Sequence, residues 1–301
     1  MKDIQRVNAP RRYNSRILLH PHLASTFPVY LHFGPYIIHP HLFFETFSYV
    51  VAFCVYLSLR RRFGDPIITP LRWVVVAAAV AGAALGSKLL FWLEDPRLTL
   101  QNLHNPDYLI GGKTIVGALA FGLLTVELIK RYIGLRTSTG DLYAIPLALG
   151  IAIGRIGCFL TGLSDNTYGT PTNLPWAINF GDGIPRHPTQ LYEIAFLLLL
   201  VPILYRVLSS IERETKNAGH FEQAGANATV TRETRFLPGD AFKLFMVAYM
   251  SFRLLCDFIK PYPRLFLGLG GIQWVCLLIL LYYSRDIAHW LGFRLHAPAQ
   301  A

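Results

Sequence analysis

The sequence predicts an all-α integral membrane protein with about seven transmembrane helices. Of its 301 residues, 53% are hydrophobic and only 15% are charged, whereas a soluble domain carries about 25% charged residues. The charges are absent from long apolar blocks and crowd the linkers between them. Seven blocks are each long enough to cross roughly 30 Å of hydrocarbon. They lie at about 42–59, 73–93, 111–129, 142–162, 189–208, 240–259 and 265–283, within a single domain over residues 1–301.

The charges of the linkers predict the orientation. The linkers after the first, third and fifth blocks are basic, whereas the linker at 94–110 is mostly acidic. Because basic loops remain in the cytoplasm, the N-terminus is predicted outside and the C-terminus in the cytoplasm. The basic residues before the first span oppose this orientation, but three basic linkers outweigh them. The same rule explains the net charge of +10 without a nucleic-acid partner.

One long linker has a different character. Residues from about 209 to 237 are hydrophilic and show no helical periodicity. The sequence therefore predicts a flexible cytoplasmic loop there, and no second domain.

Charged residues inside the spans indicate a functional site, because burying them in lipid is costly. Lys88, Lys113, Arg155 and Arg253 lie at a similar depth in four spans. At 1.5 Å per residue, this depth is roughly 3–11 Å below the outer boundary. Four cations at one level predict a bound anion, for which a phospholipid headgroup is the natural candidate. Arginine suits this task because its planar fork donates to two phosphate oxygens.

An alternative interpretation is that these cations form structural ion pairs. Arg253 and Asp257 are spaced i,i+4 on one helix, where they can pair. Arg155 has a possible partner in Glu193, at the outer end of the next span. The sequence leaves the two interpretations open.

Three motifs surround these charges. The first is GRIGCFLTG at 154–162, in which small residues allow close approach of a ligand to the backbone. The second and third are LPW at 174–176 and RHPTQLYE at 186–193, which leads into the fifth span. Farther along, Tyr249 and Arg253 share one helix face.

In this order the motifs resemble those of the prolipoprotein diacylglyceryl transferase family, over about residues 43–281. The resemblance implies transfer of the diacylglyceryl group of phosphatidylglycerol to the thiol of a lipobox cysteine in a prolipoprotein, with release of glycerol phosphate. It also implies a bacterial cytoplasmic (inner) membrane location, with the site toward the periplasmic leaflet. No cofactor and no metal are expected.

The resemblance also assigns residues. Arg155 matches the arginine that binds phosphatidylglycerol, Arg253 the second essential arginine, and Tyr249 the essential tyrosine. His187 is a further catalytic candidate from its motif. Substrate binding is expected from Arg155 and from a wider group, namely Gly154, Gly157, Gly162, Lys113, Gln190, Tyr192 and Glu193.

Some positions depart from the family pattern. Val116 stands where the family has a histidine proposed as the general base. Cys158 and Thr161 replace two usual asparagines, and Leu163 replaces a usual glutamate. The base is therefore left open among His187, Tyr249 and the cluster of His39, His41 and Glu45. That cluster also has metal-ligating residue types, but we interpret it as an interfacial polar belt because no matching set is found elsewhere.

These departures leave two alternatives to the expected activity. One is a divergent paralogue that uses the same lipid site on another acceptor. The other is a non-catalytic lipid-binding membrane protein or a transporter, although the repeated halves typical of transporters are not found in this sequence.

Overall fold

The chain is mostly helical in the computed structural model, which describes residues 27–65, 67–223 and 236–292. Each predicted span corresponds to one longer helix, and three short helices lie between or after them. The helices in order are α1 Pro40–Phe63, α2 Thr69–Glu94, α3 Pro96–Gln101, α4 Pro106–Gly111, α5 Ile115–Tyr132, α6 Asp141–Thr161, α7 Thr189–Gln223, α8 Asp240–Cys256, α9 Gly271–Tyr282 and α10 Ser284–Trp290.

Four of the described helices are long and apolar enough to cross a membrane: α1, α2, α6 and α7. The helices α5, α8 and α9 are shorter, with 18, 17 and 12 residues. The chain is therefore a multi-pass membrane protein. That all seven helices cross the bilayer remains a prediction.

Helix α6 occupies the centre of the bundle. Half of its apolar segment is buried inside the protein, against 11% for α1. It packs against α1, α7 and α8, and this group supplies many of the fully buried apolar side chains, including Ala144, Leu197, Phe245 and Met250. The buried face of α6 is thus shielded from lipid by its neighbours.

Small residues allow a second close pairing, between α2 and α5. A methyl group added at Gly86 would lie 2.4 Å from the carbonyl oxygen of Gly117, so both positions require glycine. Thr125 Oγ1 donates to the carbonyl oxygen of Ala78 at 2.9 Å across the same interface. This close contact of small residues is typical of helix packing in membranes.

The structure corrects the predicted loop at 209–237. Residues 209–223 continue α7 as a helix. Ile211 is buried against Ala241 of α8, and the 2.6 Å ion pair of Lys216 with Glu212 at i,i+4 adds to the stability of the helix. Residues 224–235 lie outside the described residues, so the flexibility of the remaining segment stays a prediction.

Two further predictions need correction. The seventh helix begins at Gly271 rather than near 265, because residues before it form a turn in which Leu265 N donates to Leu269 O at 3.0 Å. The all-α prediction also missed two short antiparallel hairpins. They pair β1 Leu31–Phe33 with β2 Tyr36–Ile38, and β3 Ile178–Asn179 with β4 Pro185–Arg186.

Candidate functional site

Two arginines from different helices meet at one buried carboxylate. Arg155 Nε of α6 lies 2.9 Å from Glu193 Oε2, near the start of α7. Arg253 Nη1 of α8 lies 3.9 Å from the same oxygen. All three side chains are buried. The two guanidinium groups are therefore close enough to contact one anionic group of phosphate size.

The structural ion pairs considered from the sequence are also present. Arg253 Nη2 donates to Asp257 Oδ1 at 2.9 Å, and Arg155 pairs with Glu193 as described. The two interpretations are thus compatible, because the pairing carboxylates are what hold both arginines at one place. We call Arg155, Glu193, Tyr249, Arg253 and Asp257 the arginine centre.

Tyr249 is held within this centre by Glu193. Its hydroxyl group donates to Glu193 Oε1 at 2.6 Å, and its side chain is fully buried. A phenol that donates to a carboxylate is protonated, so this geometry makes Tyr249 a residue that fixes Glu193. Glu193 in turn fixes the arginines.

Two polar atoms of the centre have hydrogen-bonding capacity left. Arg253 Nε and Asp257 Oδ2 are buried and have no hydrogen-bond partner within the described residues, and Gln190 Oε1, outside the centre near the start of α7, is in the same state. Buried polar atoms are normally satisfied by protein or by a bound group. The arginine centre can therefore accept further partners without breaking its ion pairs.

Two charged residues of this region were missed by the sequence analysis. Lys260 follows α8 with its side chain 1% exposed, and its Nζ atom lies 4.0 Å from Asp257 Oδ1. Burial and the nearby charges of Arg253 and Arg155 lower the pKa of Lys260 to about 8. Glu94, at the end of α2, faces the same residues with one buried oxygen unpaired. Both residues lie at the ends of predicted spans. Charged residues are common in the linkers there, so the sequence alone does not mark these two as part of a site.

The lysines of the predicted cation layer lie apart from the arginine centre. Lys88 Nζ donates to the carbonyl oxygens of Ile110 and, at 2.6 Å, Gly112. Lys113 forms an ion pair with Glu45, and its side chain is half exposed. The four predicted cations thus divide into two buried arginines and two lysines with other partners.

His187 belongs to a separate polar group in the loop before α7. Its Nδ1 atom lies 3.1 Å from the hydroxyl group of Tyr192, which also accepts a hydrogen bond from Trp176 Nε1 at 2.8 Å. Nearby, Gln190 Nε2 donates to Thr167 Oγ1 at 3.1 Å. In the described part of the chain, none of the hydrogen bonds of His187 reaches the arginines.

The three glycines predicted to bind substrate have different surroundings. A methyl group added at Gly157 would lie 2.9 Å from Phe44 Cβ, so this glycine permits the packing of α1 on α6. Gly162 has a φ of +73° and ends α6, a conformation that favours glycine. The space beside Gly154 is open with respect to the described residues, which suits approach of a ligand.

A second polar cluster adjoins the arginine centre. His41 Nδ1 lies 2.8 Å from Asp165 Oδ1, and His41 Nε2 lies 3.4 Å from Glu45 Oε2. Cys158 completes the group, and its Sγ atom lies 3.7 Å from Arg155 Nη1. We call His41, Cys158 and Asp165 the His41 cluster. The sequence analysis had paired His41 with Glu45 but had missed Cys158 and Asp165.

The position of the family histidine lies in the hydrophobic core. Val116 is fully buried among apolar residues of the bundle. His39, which the sequence analysis grouped with His41, precedes α1, and its ring lies 5.8 Å from that of Tyr30. His41 is thus the residue of that predicted belt that approaches the arginine centre.

The sequence profile described as prolipoprotein diacylglyceryl transferase matches residues 28–284. The chain belongs to the prolipoprotein diacylglyceryl transferase family. It is 30% identical over 272 residues to the phosphatidylglycerol–prolipoprotein diacylglyceryl transferase of Bordetella parapertussis, which covers 84% of this chain and 91% of the relative.

Two other relatives of the same name show similar coverage. The enzyme of Polynucleobacter asymbioticus is 29% identical over 289 residues, with 88% of this chain and 95% of the relative covered. That of Methylococcus capsulatus is 28% identical over 265 residues, with 82% and 87% covered. The resemblance predicted from the three motifs is confirmed, and it extends over nearly the whole chain.

Proposed function

We propose that this chain transfers the diacylglyceryl group of phosphatidylglycerol to the thiol of a lipobox cysteine in a prolipoprotein. The relatives that it matches over most of its length carry this activity in their names. The observation that carries the proposal is the meeting of Arg155 and Arg253 at the single carboxylate of Glu193. This arrangement suits a phosphate held between two helices in a water-poor site.

In the proposed reaction, the cysteine thiol loses its proton to water, and the resulting thiolate sulfur attacks the glycerol carbon that carries the phosphate. A carbon–sulfur bond forms and the carbon–oxygen bond breaks, and its electron pair leaves on the phosphate oxygen. Arg155 and Arg253 stabilise the negative charge that develops there, and such contacts are stronger where water is excluded. The products are the thioether and glycerol phosphate.

The remaining site residues support this centre in different ways. Tyr249 and Glu193 hold the arginines in place through the 2.6 Å hydrogen bond and the shared ion pairs. Gly154 leaves room for the headgroup. Gln190 and Tyr192 shape the loop above the centre, and His187 orients Tyr192.

Other predicted contacts lie nearer the edge of the site. Lys113 provides a cation near the lipid interface. Gly157 and Gly162 act on the substrate indirectly, by placing α1 and the end of α6.

The proposed topology follows from the charges of the linkers. Seven helices cross the inner membrane, with the N-terminus outside, the C-terminus in the cytoplasm and the linker between α7 and α8 on the cytoplasmic side. The arginine centre then lies toward the periplasmic leaflet, from which both phosphatidylglycerol and a translocated prolipoprotein are reached.

A second candidate is the same lipid chemistry on another thiol acceptor. It is favoured by Val116 and Cys158, which replace residues usual in the family. A non-catalytic lipid-binding role or transport is the third possibility, and the experiment below separates all three.

The test is transfer by the purified protein in phosphatidylglycerol nanodiscs, with the label in the diacylglyceryl group. We expect a lipobox peptide to become labelled, and a peptide with serine in place of its cysteine to remain unlabelled. Release of glycerol phosphate with small thiols but without peptide labelling would support the other acceptor. Lipid binding without release from any thiol would contradict a transferase.

A further inference from the structure

We propose that His41, Cys158 and Asp165 form a binding site for a divalent transition metal such as zinc, whose open position takes the thiolate of the acceptor cysteine. This inference rests on the proposed transferase function for the role of the metal, but the metal site itself stands on the geometry of these residues. It departs from the sequence-based expectation that the chain holds no metal.

The three side chains converge from three elements. His41 lies in the first turn of α1, Cys158 in the last turn of α6, and Asp165 at the end of the 3₁₀ turn Gly162–Asp165 that follows α6. One ligand atom of each residue lies within 4.8 Å of the other two. Tetrahedral zinc, with bonds of about 2.0–2.3 Å, requires separations of roughly 3.3–3.8 Å. The cluster therefore needs adjustments of only about 1 Å to surround an ion.

The donor set matches zinc in kind and in charge. A thiolate, an imidazole and a carboxylate are all zinc ligands, and three protein ligands with an open fourth position are typical of catalytic zinc. The charges of the Cys158 thiolate and the Asp165 carboxylate neutralise a divalent ion. Arg155 lies beside the cluster, but its positive charge is balanced by Glu193 at 2.9 Å. Its repulsion of a metal ion is therefore reduced.

A second layer of contacts orients the ligands. Glu45 Oε2 lies 3.4 Å from His41 Nε2, the nitrogen that stays free when Nδ1 faces the ion. A carboxylate on the second nitrogen fixes the ring and its tautomer in metal sites. Thr167 Oγ1 donates to Asp165 Oδ2 at 2.7 Å, which leaves Asp165 Oδ1 to face His41 and the ion.

The position of the His41 cluster indicates what the metal would do in the reaction. Arg155 Nη1 lies 3.7 Å from Cys158 Sγ, so an ion on Cys158 sits beside the arginine that faces the lipid phosphate. A thiol that coordinates a metal is deprotonated, and thiolate is the nucleophile that the reaction needs. The acceptor thiol releases its proton to water on binding. Its sulfur then attacks the glycerol carbon while the phosphate oxygen leaves with the bonding electrons.

This role accounts for the two departures from the family pattern together. The site of the usual histidine is filled by Val116 in the hydrophobic core, where no proton can be accepted. Cys158 stands in place of an asparagine, which has no thiolate to bind zinc. One substitution removes the expected base, and the other supplies a metal ligand next to the arginines.

The first experiment measures zinc alone on the purified full-length protein in detergent, by metal analysis after dialysis. We expect about one zinc per chain in the wild type and none in the Cys158→Asn and Asp165→Asn variants. Cys54→Ser is the matched control, because Cys54 is exposed on α1, and it should keep the metal. Glu45→Gln should weaken zinc binding by about 10–100-fold, as expected for loss of a carboxylate on a ligating histidine.

The second experiment replaces zinc with cobalt and follows absorption from sulfur ligands. Wild-type protein should show a thiolate-to-cobalt band that Cys158→Asn lacks. The lipobox peptide should strengthen that band, and its serine analogue should not. A band that the peptide leaves unchanged would overturn the assignment of the open position to the acceptor thiolate.

The outcomes separate this proposal from the proposed function. Lipidation of the peptide by protein that binds neither zinc nor cobalt would overturn the metal site and leave the transferase standing. Loss of that lipidation in His41→Gln protein, with no metal in the wild type, would replace the metal with His41 acting as a base. Zinc bound through Cys158 without any lipidation would support the site and contradict the transferase.

Discussion

The arginines and the lysines of the predicted cation layer share a depth in the sequence but not an environment. Arg155 and Arg253 are buried and share the carboxylate of Glu193. Lys113 is half exposed against Glu45, and Lys88 binds the backbone before α5. The difference follows from the helices that carry them. The arginines lie on α6 and α8, inside the bundle, whereas Lys88 lies on α2 and Lys113 just before α5.

The position of a charged residue along its span predicts its depth in the membrane. We expect burial inside the bundle to decide which of the charges at that depth take part in the reaction. A buried charge is expensive to leave unpaired, so its removal has large consequences. An exposed ion pair contributes about 0–1 kcal/mol. The variants below test whether function follows that division.

The largest effect is expected at Arg155. Arg155→Ala removes the buried guanidinium group that we propose stabilises the developing phosphate charge, and it should lower kcat for lipidation by about 10²–10³-fold. Arg155→Lys keeps the charge without the fork and should recover part of the loss. Transfer of labelled diacylglyceryl to a lipobox peptide measures both. Full activity of the alanine variant would remove Arg155 from the chemistry.

The next effect concerns pH and Lys260. Its pKa is lowered to about 8 mainly by burial, so its charge is present below that pH and lost above it. Arg155 and Arg253 are balanced by Glu193 and Asp257, so we expect the charge of Lys260 to be the excess that attracts the phosphate. Affinity for phosphatidylglycerol should then fall by up to about tenfold per pH unit above about 8. Lys260→Arg keeps its charge at high pH, and its affinity should stay level over the same range. The same decline of affinity in the wild type and in Lys260→Arg would show that another group causes it.

A smaller effect is expected at His187. Its ring contacts Tyr192 rather than the arginine centre, so His187→Asn should lower turnover less than about tenfold and leave the pH profile unchanged. Tyr192→Phe removes this hydrogen bond together with the one from Trp176 Nε1, so its loss should be at least as large as that of His187→Asn. A loss of 10²-fold or more with a shifted pH profile would identify His187 as a base after all.

The smallest effect is expected on the lysine side. Lys113→Ala removes an ion pair that is half exposed, so phosphatidylglycerol affinity should change by less than about fivefold. The measurement is lipid binding in nanodiscs, beside Arg253→Ala as the buried counterpart. Equal losses of lipid affinity in Lys113→Ala and Arg253→Ala would contradict the functional difference between the exposed lysines and the buried arginines.

The sequence predicted the helices and the arginines because their signals are local. Apolar runs identify the helical segments, and a charge inside such a run is conspicuous at once. The 35-residue length of α7 was not predicted, since its C-terminal end is mostly polar, and its support comes from a small apolar contact at Ile211 and from charge pairs that the sequence does not reveal.

The partners of the arginines were harder to predict than the arginines. Glu193 and Asp257 were found because one lies in a motif and the other at i,i+4 from Arg253. Lys260 and Asp165 lie just beyond helix ends, where a charge is ordinary, and only the three-dimensional contacts reveal them. The convergence of His41 with Cys158 depends on the packing of α1 on α6, which no local pattern encodes.

The central claim is that the guanidinium groups of α6 and α8 hold one lipid phosphate. A double-mutant cycle on phosphatidylglycerol binding, with Arg155→Gln, Arg253→Gln and the combined variant in nanodiscs, tests it most directly. We expect each single change to remove most of the affinity and the second change to add little, because both act on the same group. Losses that simply add would place the two arginines in independent sites and contradict the account.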